Sequence, residues 1–309
     1  MLRFPARNLF ASSLALCVVA APFQAAYAQS TLRSRIDTTL AFNKGAWVDV
    51  GLISGDIIIT GWTRPEAQIS AHVQDGDLES SISASRISIH TRSRRRRLGE
   101  ARYELHVPIG TRVQASSISG DIRVTATAGE VQVNATSGAV EIIDATDRVS
   151  VSTVSGDIHL SRIRANTRIH TTSGDLEIDD VTGDLSIQSV STDMRLRRIK
   201  SSRAHIETVN GSITYEGGID AAGSYDFSTH SGDVVLKLPS SIGATLDLQT
   251  FSGDISSSFP LTLQPGERSR SKSGRKMQFT IGSGGARITA QTFSGDITIE
   301  RNGRSNPEE

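Results

Sequence analysis

The sequence predicts an all-β protein with the fold of a single elongated parallel β-solenoid, about 18–21 residues per coil, and a β-rich N-terminal cap. Three observations predict it: a composition with 5% aromatic and 21% charged residues among many Ser, Thr, Gly, Val and Ile, a motif that recurs at a nearly constant step, and apolar residues two apart after each copy. The composition is poor in helix formers and excludes a coiled coil. A period of two is typical of half-buried strands.

The N-terminus has the features of a secretory signal peptide over residues 1–28. Arg3 and Arg7 form a basic start, and an apolar run follows over residues 9–23. Ala26-Tyr27-Ala28 then places small residues where a signal peptidase reads them. A retained membrane anchor is the alternative, but the apolar run is short for a span. We therefore expect an exported protein, located in the periplasm or at the cell surface and beyond, and peripheral to the membrane at most.

Cysteine and charge narrow the classes of function further. Cys17 is the only cysteine and lies inside the signal segment, so the mature chain is expected to hold no disulfide and no thiolate site. Lys and Arg number 33, as do Asp and Glu. A chain without net charge has no overall field to attract a polyanion, so no nucleic-acid partner is expected.

The most informative feature is an internal repeat of Ser-Gly-Asp followed by an aliphatic residue. The position after the glycine recurs at steps of 18, 18, 18, 18, 19, 21, 21 and 42, the last being twice 21: Asp121, Ala139, Asp157, Asp175, Asp193, Ser212, Asp233, Asp254 and Asp296. Weaker copies lie halfway between, so the unit is about nine residues, paired into coils. An isolated unit cannot bury enough surface, and stacking the coils makes a continuous core.

The residues after each motif form two inward columns. The first contains Ile122, Val140, Ile158, Leu176, Met194, Ile213, Val234, Ile255 and Ile297. The second contains Val124, Ile142, Leu160, Ile178, Leu196, Tyr215, Leu236, Ser257 and Ile299. The halfway units supply a further set, including Val131, Val149, Thr167, Leu185 and Ala204. If coils stack in register, the outward residues between the inward columns become vertical neighbours with alternating signs: Arg123, Glu141, His159, Glu177 and Arg195. Opposite charges on adjacent strands stabilise a sheet by about 0.2–1 kcal/mol per pair.

The flanks lack the strict period. Residues 34–117 are expected to form an N-terminal β region that caps residues 118–300, the solenoid. Ser54-Gly55-Asp56-Ile57 is an early motif copy, and strands are expected at Ile69–Val73, Ile82–His90 and Tyr103–Val107, the last two joined by a basic hairpin loop. A basic insertion at 258–280 is expected as a loop or hairpin and second cap. Residues 301–309 are expected to be a flexible tail.

The motif residues are interpreted as a structural turn. Glycine supplies backbone conformations with positive φ, and Ser and Asp can bond turn amides. The residues concerned are Gly120, Asp121, Gly156, Asp157, Gly174, Asp175, Gly232, Asp233, Gly253, Asp254, Gly295 and Asp296. A calcium-stabilised β-roll is an alternative, but those rolls place Asp two residues before the inward aliphatic. Ala139 and Ser212 also interrupt the acidic column, so no metal site is assigned.

A polysaccharide-active β-helix enzyme is the second alternative. Asp179-Asp180, Ser191-Thr192-Asp193 and Arg198-Ile199-Lys200 resemble fragments of the pectin-hydrolysing pattern, but in the wrong order and without Gly-His-Gly. Glycosidic cleavage needs two carboxyls about 5–9.5 Å apart, one of them protonated, and adjacent strand residues point apart. No nucleophile elbow, zinc motif or phosphate loop is present in the sequence. We therefore predict no enzyme activity, no catalytic residue and no cofactor.

A basic segment suggests a partner. Arg94, Arg95, Arg96 and Arg97 stand together in the loop before Gly99. Such a charge run is usually solvated, but it can bind an anionic envelope component or an acidic glycan. The oligomeric state is left open.

Two stretches carry a family resemblance. Tyr103-Glu-Leu-His-Val-Pro-Ile-Gly-Thr-Arg-Val113, followed by Ser119-Gly-Asp-Ile122 and its repeats, resembles the adhesin-like family of bacterial β-strand-repeat envelope proteins, a family with a domain of unknown function. The resemblance covers roughly residues 36–300. It implies a β-solenoid at or beyond the cell envelope, an adhesin-like or scaffold role, and no catalytic residues.

Overall fold

A computed structural model describes residues 31–74, 76–92, 99–260, 262–263, 270–271 and 274–302. The predicted signal segment 1–28, the arginines Arg94–Arg97 and residues 303–309 lie outside this part. The strands formed by the described residues are β1 Thr31–Arg33, β2 Arg35–Ala41, β3 Trp47–Trp62, β4 Glu66–Val73, β5 Asp77–Ile82, β6 Arg86–Arg92, β7 Ala101–Pro108, β8 Arg112–Ser119, β9 Ile122–Thr127, β10 Val131–Ser137, β11 Val140–Ala145, β12 Val149–Thr153, β13 Ile158–Ile163, β14 Thr167–His170, β15 Leu176–Val181, β16 Leu185–Gln188, β17 Met194–Asn210, β18 Ile213–Ser231, β19 Val234–Leu238, β20 Ala244–Ser252, β21 Ile255–Ser257, β22 Thr262–Leu263, β23 Arg270–Ser271, β24 Gly274–Ile281, β25 Ala286–Ser294 and β26 Ile297–Arg301.

The molecule is a parallel β-solenoid whose coils we call rungs. Each rung has two strand segments: an A strand before the Ser-Gly-Asp turn and a B strand after it. Inward residues of both are buried, as in β10 and β11, where Val131, Val133, Val140 and Ile142 are fully enclosed.

The middle rungs confirm the predicted register. Ile122 pairs with Val140, Val140 with Ile158 and Ile158 with Leu176. Val131, Val149, Thr167 and Leu185 succeed one another in the same way on the A strands. Residues eighteen apart therefore lie directly above each other, at the ~4.8 Å spacing of neighbouring strands.

The order of rungs in the stack differs from their order in the chain. From one end to the other, the rungs consist of residues 86–92 with 101–108 (rung 1), 47–62 (rung 2), 112–127 (rung 3), 131–145 (rung 4), 149–163 (rung 5), 167–181 (rung 6), 185–199 (rung 7), 204–217 (rung 8), 224–238 (rung 9), 286–301 (rung 10) and 244–257 (rung 11). The first and the last rung of the chain are thus each enclosed between two others.

Two predictions for the N-terminal flank are wrong. The basic segment was expected to join a hairpin, but β6 and β7 do not pair with each other. Both run parallel to β3 and form the two strands of rung 1. The predicted strand Ile82–His90 is divided between β5 and β6, which are antiparallel and joined through residues 83–85. Ser83 causes the break, because its hydroxyl accepts from the Arg86 N–H and closes a tight turn.

Antiparallel strands lie against both ends. At the first end β4 pairs with β7 and β2 with β4, while β5 pairs with β6 and β1 with β5. At the other end β24 pairs with β20, and β22 with β24. These strands cover open sheet edges that would otherwise accept another chain.

In the described part of the chain, we find no helix of the length and hydrophobicity that crossing a membrane requires.

Candidate functional site

The candidate site lies on the outer face of the A strands, which we call the A face. Because side chains alternate along a strand, every second residue of each A strand points outward, and stacking arranges these residues in columns. Across rungs 4–9 the beginnings of the A strands enclose an open groove of about 760 Å³. Its lining is mostly hydroxyl, amide and charged: Glu130, Gln132, Arg148, Ser150, Asn166, Thr167, Arg168, Asp184, Leu185, Ser186, Arg203, Ala204, His205, Ser224 and Asp226.

Two arginines of the groove are held by carboxylates. Arg203 donates to Asp184 through Nε at 3.0 Å and Nη2 at 2.6 Å. Arg148 lies 3.7 Å from Glu130. Both N–H groups of Arg203 donate to the same oxygen, Asp184 Oδ2, so these arginines border the groove as paired groups rather than as free binding groups.

Arg168 differs from the other two arginines. It lies in the centre of the groove, between Ser150 and Ser186 on the neighbouring rungs. The part of the chain that the structure describes offers it no ion-pair partner. Further along, His205 has Asp226 as a neighbour, with Nδ1 and Oδ2 3.3 Å apart. The groove thus presents one uncompensated guanidinium among hydroxyl groups.

The outer face of the B strands, the B face, holds the predicted charge ladder. Arg123 bonds Glu141, and His159 lies 3.5 Å from Glu177, as the register predicted. Glu177 is bound by Arg197 rather than by its register neighbour Arg195.

A second ladder on the B face comes from residues with positive φ. Asp144 accepts a forked contact from Arg162 at 2.6 and 2.9 Å. The guanidinium holds the pKa of Asp144 below its ordinary value. Asp180 likewise accepts from Arg164, which lowers its pKa. These carboxylates are structural counterions.

Asp179 and Asp180, the fragment of the hydrolase pattern considered from the sequence, are both engaged in ion pairs. Asp180 bonds Arg164 and Asp179 bonds Arg198, so each carboxylate is held by its own guanidinium. A general acid needs a raised pKa, whereas the pKa of Asp180 is lowered.

The motif residues lie along one edge of the stack, where the A strand turns into the B strand. Asp157 Oδ1 accepts the N–H of Asp175 at 3.0 Å, and Asp233 Oδ1 accepts that of Asp296 at 2.8 Å. Each carboxylate of this kind bonds the equivalent residue one rung away. The aspartates of the column are therefore bound by backbone N–H groups rather than by a cation. Separately, the described residues contain no group of three or more His, Cys, Asp or Glu able to hold a metal ion.

The motif glycines are required by close approach as well as by φ. Gly156 has φ +127°, and a Cβ there would lie 2.1 Å from the Gly138 carbonyl oxygen. Gly120 lacks positive φ in this range, but its Cβ would meet the Gly55 carbonyl at 1.8 Å. In rung 7, Thr192 replaces the glycine of the motif. Its buried hydroxyl accepts a hydrogen bond from the Ser189 hydroxyl at 2.6 Å.

Sequence reasoning missed two features of the A face, the groove and a row of exposed apolar residues. The groove residues belong to columns that begin each A strand, and aligning the weaker halfway copies would have placed Arg148, Asn166 and Asp184 together. The second feature is a row of exposed apolar residues before each Ser-Gly-Asp, visible in the same alignment. Concentrating on the buried columns concealed both. Arg94–Arg97, the predicted anionic contact, fall outside the described residues.

The chain is similar to one described protein family and, more weakly, to one solved structure. The family model Toastrack DUF4097 matches residues 101–300. No curated protein matches the chain. A crystal structure from Clostridium sporogenes, of a protein classed provisionally as a cell adhesion protein, is 9% identical, with 86% of this chain and 99% of that chain covered and a TM-score of 0.21. At that TM-score the similarity carries no argument about function.

Proposed function

The chain belongs to the Toastrack DUF4097 family, and from this premise we propose that it is an exported, non-enzymatic binding scaffold with an adhesin-like role in the cell envelope. Its ligand lies in the A-face groove and is a linear glycan that carries carboxylate groups. The observation that supports this most is the groove itself, which crosses six stacked rungs and centres on Arg168.

The shape of the groove favours an extended ligand. Six rungs at ~4.8 Å per step span roughly 24 Å, and the groove is open along that length. Small, enclosed and apolar pockets suit compact ligands, whereas an open polar groove suits a chain that runs along the solenoid axis.

The lining favours a hydroxyl-rich ligand. Gln132, Ser150 and Ser186 can each donate and accept hydrogen bonds. Arg168 is free to bind a carboxylate through two parallel N–H groups. The remaining arginines are already neutralised, so one anionic group per several rungs matches the groove better than a dense polyanion does.

A binding role is favoured over catalysis by the state of the carboxylates. The acids closest to a hydrolase pattern, Asp179 and Asp180, are ion-paired on the other face. In the groove, Asp184 is engaged by Arg203 and Asp226 lies beside His205.

The experiment is a calorimetric titration of purified protein with a linear polyuronate and with a neutral polysaccharide of equal length. We expect the polyuronate to bind, and Arg168→Ala to weaken it at least tenfold, since a charge-assisted contact contributes ~1.5–3 kcal/mol. Arg123→Ala, on the B face, is the matched control and should leave binding unchanged. Equal losses in both variants, or steady release of reducing ends, would contradict the proposal.

Export and the basic segment are further parts of the proposal. N-terminal sequencing of the protein recovered from outside the cytoplasm should begin at Gln29. We propose that Arg94–Arg97 add an electrostatic contact with an anionic envelope component. Replacing these four arginines with serine should reduce retention on anionic vesicles at low salt and leave glycan affinity unchanged, because screening weakens exposed charges.

A further inference from the structure

An exposed apolar ridge runs along the A face, beside the Ser-Gly-Asp edge. It consists of the residue before each motif copy, in stack order Ile53, Ile118, Thr136, Val154, Thr172, Val190, Val209, His230, Phe293 and Phe251. Ile118 is 53% exposed and Phe251 51%. Of the large hydrophobic residues exposed in the described part, only Ile109 lies elsewhere. Such concentration marks an interaction surface.

The ridge is ordered along its length. The Phe293 ring stacks on His230, with centroids 4.8 Å apart and planes at 11°, and on Phe251, at 4.7 Å and 3°. This stack exists because rung 10 lies between rungs 9 and 11. Side chains that repeat at the strand spacing present a regular row of methyl groups and ring edges to solvent.

A column of polar side chains lies on one side of the ridge and a column of aspartates on the other. Two residues before it stand mainly hydroxyl and amide side chains, such as Ser116, Asn134 and Gln188, with Gly51, His170 and Glu207 as the exceptions. Three residues after it stand the motif aspartates, such as Asp121 and Asp157. The ridge itself carries no Lys, Arg, Asp or Glu, so nothing charged must be desolvated at its centre.

We infer that the ridge binds a second copy of this chain, the two solenoids lying side by side with parallel axes. A row with a ~4.8 Å repeat interlocks over many rungs only with a row of the same repeat, as in dry zippers between sheets. A second copy supplies that repeat. The small serine that directly follows the ridge residue in most motif copies permits close approach.

The size of the surface fits a stable dimer. Ten rungs span about 43 Å, and the five residue steps from the amide column to the aspartates span up to about 16 Å. The product, roughly 700 Å² on each partner, approaches the ~800 Å² that a standard interface buries per side.

Charge selects the parallel arrangement. With the two-fold axis along the solenoids, the aspartate column of one copy faces the hydroxyl and amide column of the other. With antiparallel axes, aspartates face aspartates, and like charges across an interface are unfavourable. In the parallel arrangement each ridge residue meets its own counterpart, whereas antiparallel axes bring Ile118 near Phe293.

Cysteine cross-linking tests the interface and its direction, in the full chain carrying Cys17→Ser. Ile118→Cys and Val209→Cys should each be joined into a covalent dimer by a bis-maleimide with a reach of about 10 Å, because residues that meet their own counterparts across two packed sheets lie about 10 Å apart. Ile109→Cys, equally apolar and exposed but off the ridge, is the control and should stay monomeric. Cross-links only in a mixture of Ile118→Cys and Phe293→Cys would overturn the parallel arrangement.

Sedimentation of the protein without cysteine substitutions tests association itself. We expect a dimer at micromolar concentration, and at least a tenfold rise in dissociation constant for Val190→Glu, since two carboxylates would meet. Ile109→Glu should have no effect. A monomer throughout, or equal behaviour of the two variants, would overturn the proposal. Mixing Val190→Glu with Val190→Lys should restore the dimer, which separates lost contact from lost folding.

Discussion

The middle and the ends of this solenoid are built differently. In rungs 3–7 the chain proceeds from each rung to the next, and every rung pairs with its neighbours in sequence. At the ends the order is interleaved: rung 2, the first in the chain, lies between rungs 1 and 3, and rung 10, the last, between rungs 9 and 11. A terminal rung of a simple stack has one neighbour, but these have two.

The difference teaches how a one-dimensional stack can resist fraying. In a repeat protein each unit is stabilised only by its neighbours, so terminal units open first. Interleaving places the first and the last rung of the chain between two others, so neither can peel away singly. The outermost rungs are instead internal segments of the chain, covered by the antiparallel strands β4 and β24.

The largest expected effect comes from the glycine column. Gly156→Ala should prevent folding or cost more than about 4 kcal/mol, because its Cβ would meet a carbonyl oxygen at 2.1 Å. Gly295→Ala in rung 10 should be equally damaging, since Gly232 O lies 2.1 Å from its Cβ position. Gly110→Ala has positive φ but open space and should cost about 1 kcal/mol. Urea unfolding measures all three; a mild Gly295→Ala would mean that the Gly232 carbonyl of rung 9 does not lie against rung 10.

Core truncations compare the rungs directly. Ile158→Ala in rung 5 and Ile297→Ala in rung 10 should each cost ~2–5 kcal/mol, as buried aliphatics do. Ile297 has Val234 on one side and Ile255 on the other. Ile255→Ala, in the outermost rung and only partly buried, should cost less. Denaturant midpoints that group Ile297 with Ile255 would contradict the interleaved order.

The aspartate contacts give a smaller effect. Asp121→Ala and Asp233→Ala each remove an acceptor for an N–H on the next rung, at 2.8 Å in both cases, and each should cost about 1 kcal/mol. Asp→Asn keeps the Oδ1 acceptor and should retain most of the stability. The two sites join middle rungs and end rungs respectively, so unequal thermal shifts would indicate that the ladder weakens toward the end.

The smallest effect concerns strain in the middle. Non-glycine residues with positive φ in the described chain form one column in rungs 3–7, beginning with Ala126 at 57°. Ala126 makes no ion pair to offset this conformation, so Ala126→Gly should raise stability by about 0.5–1 kcal/mol. Ala115→Gly, in an ordinary strand, should lower it by a similar amount. A loss in both variants would show that the strain is negligible.

The middle could be predicted from sequence because its period is local. Ile122, Val140, Ile158 and Leu176 recur at one step, and only stacking buries them all. The ends could not be ordered in the same way. The copies at Gly55 and Gly295 identify rungs, but a parallel rung offers the same hydrogen bonds to any neighbour, so the motif carries no information about which rung lies next to it.

The groove and the ridge were missed for a related reason. Arg168 and Val190 look like ordinary exposed residues, and their meaning depends on which rungs lie above and below them. The carboxylate pair Asp179-Asp180 misleads in the opposite direction, because its partners Arg198 and Arg164 come from outside its own rung.

The most direct test of the interleaved stack is a pair of double-cysteine variants in a Cys17→Ser background. Ser231 lies next to Ser294, and Ser294 next to Ser252. Ser231→Cys/Ser294→Cys should therefore form an intramolecular disulfide, whereas Ser231→Cys/Ser252→Cys, two rungs or ~9.6 Å apart, should not. A disulfide between positions 231 and 252, and none between 231 and 294, would contradict the account.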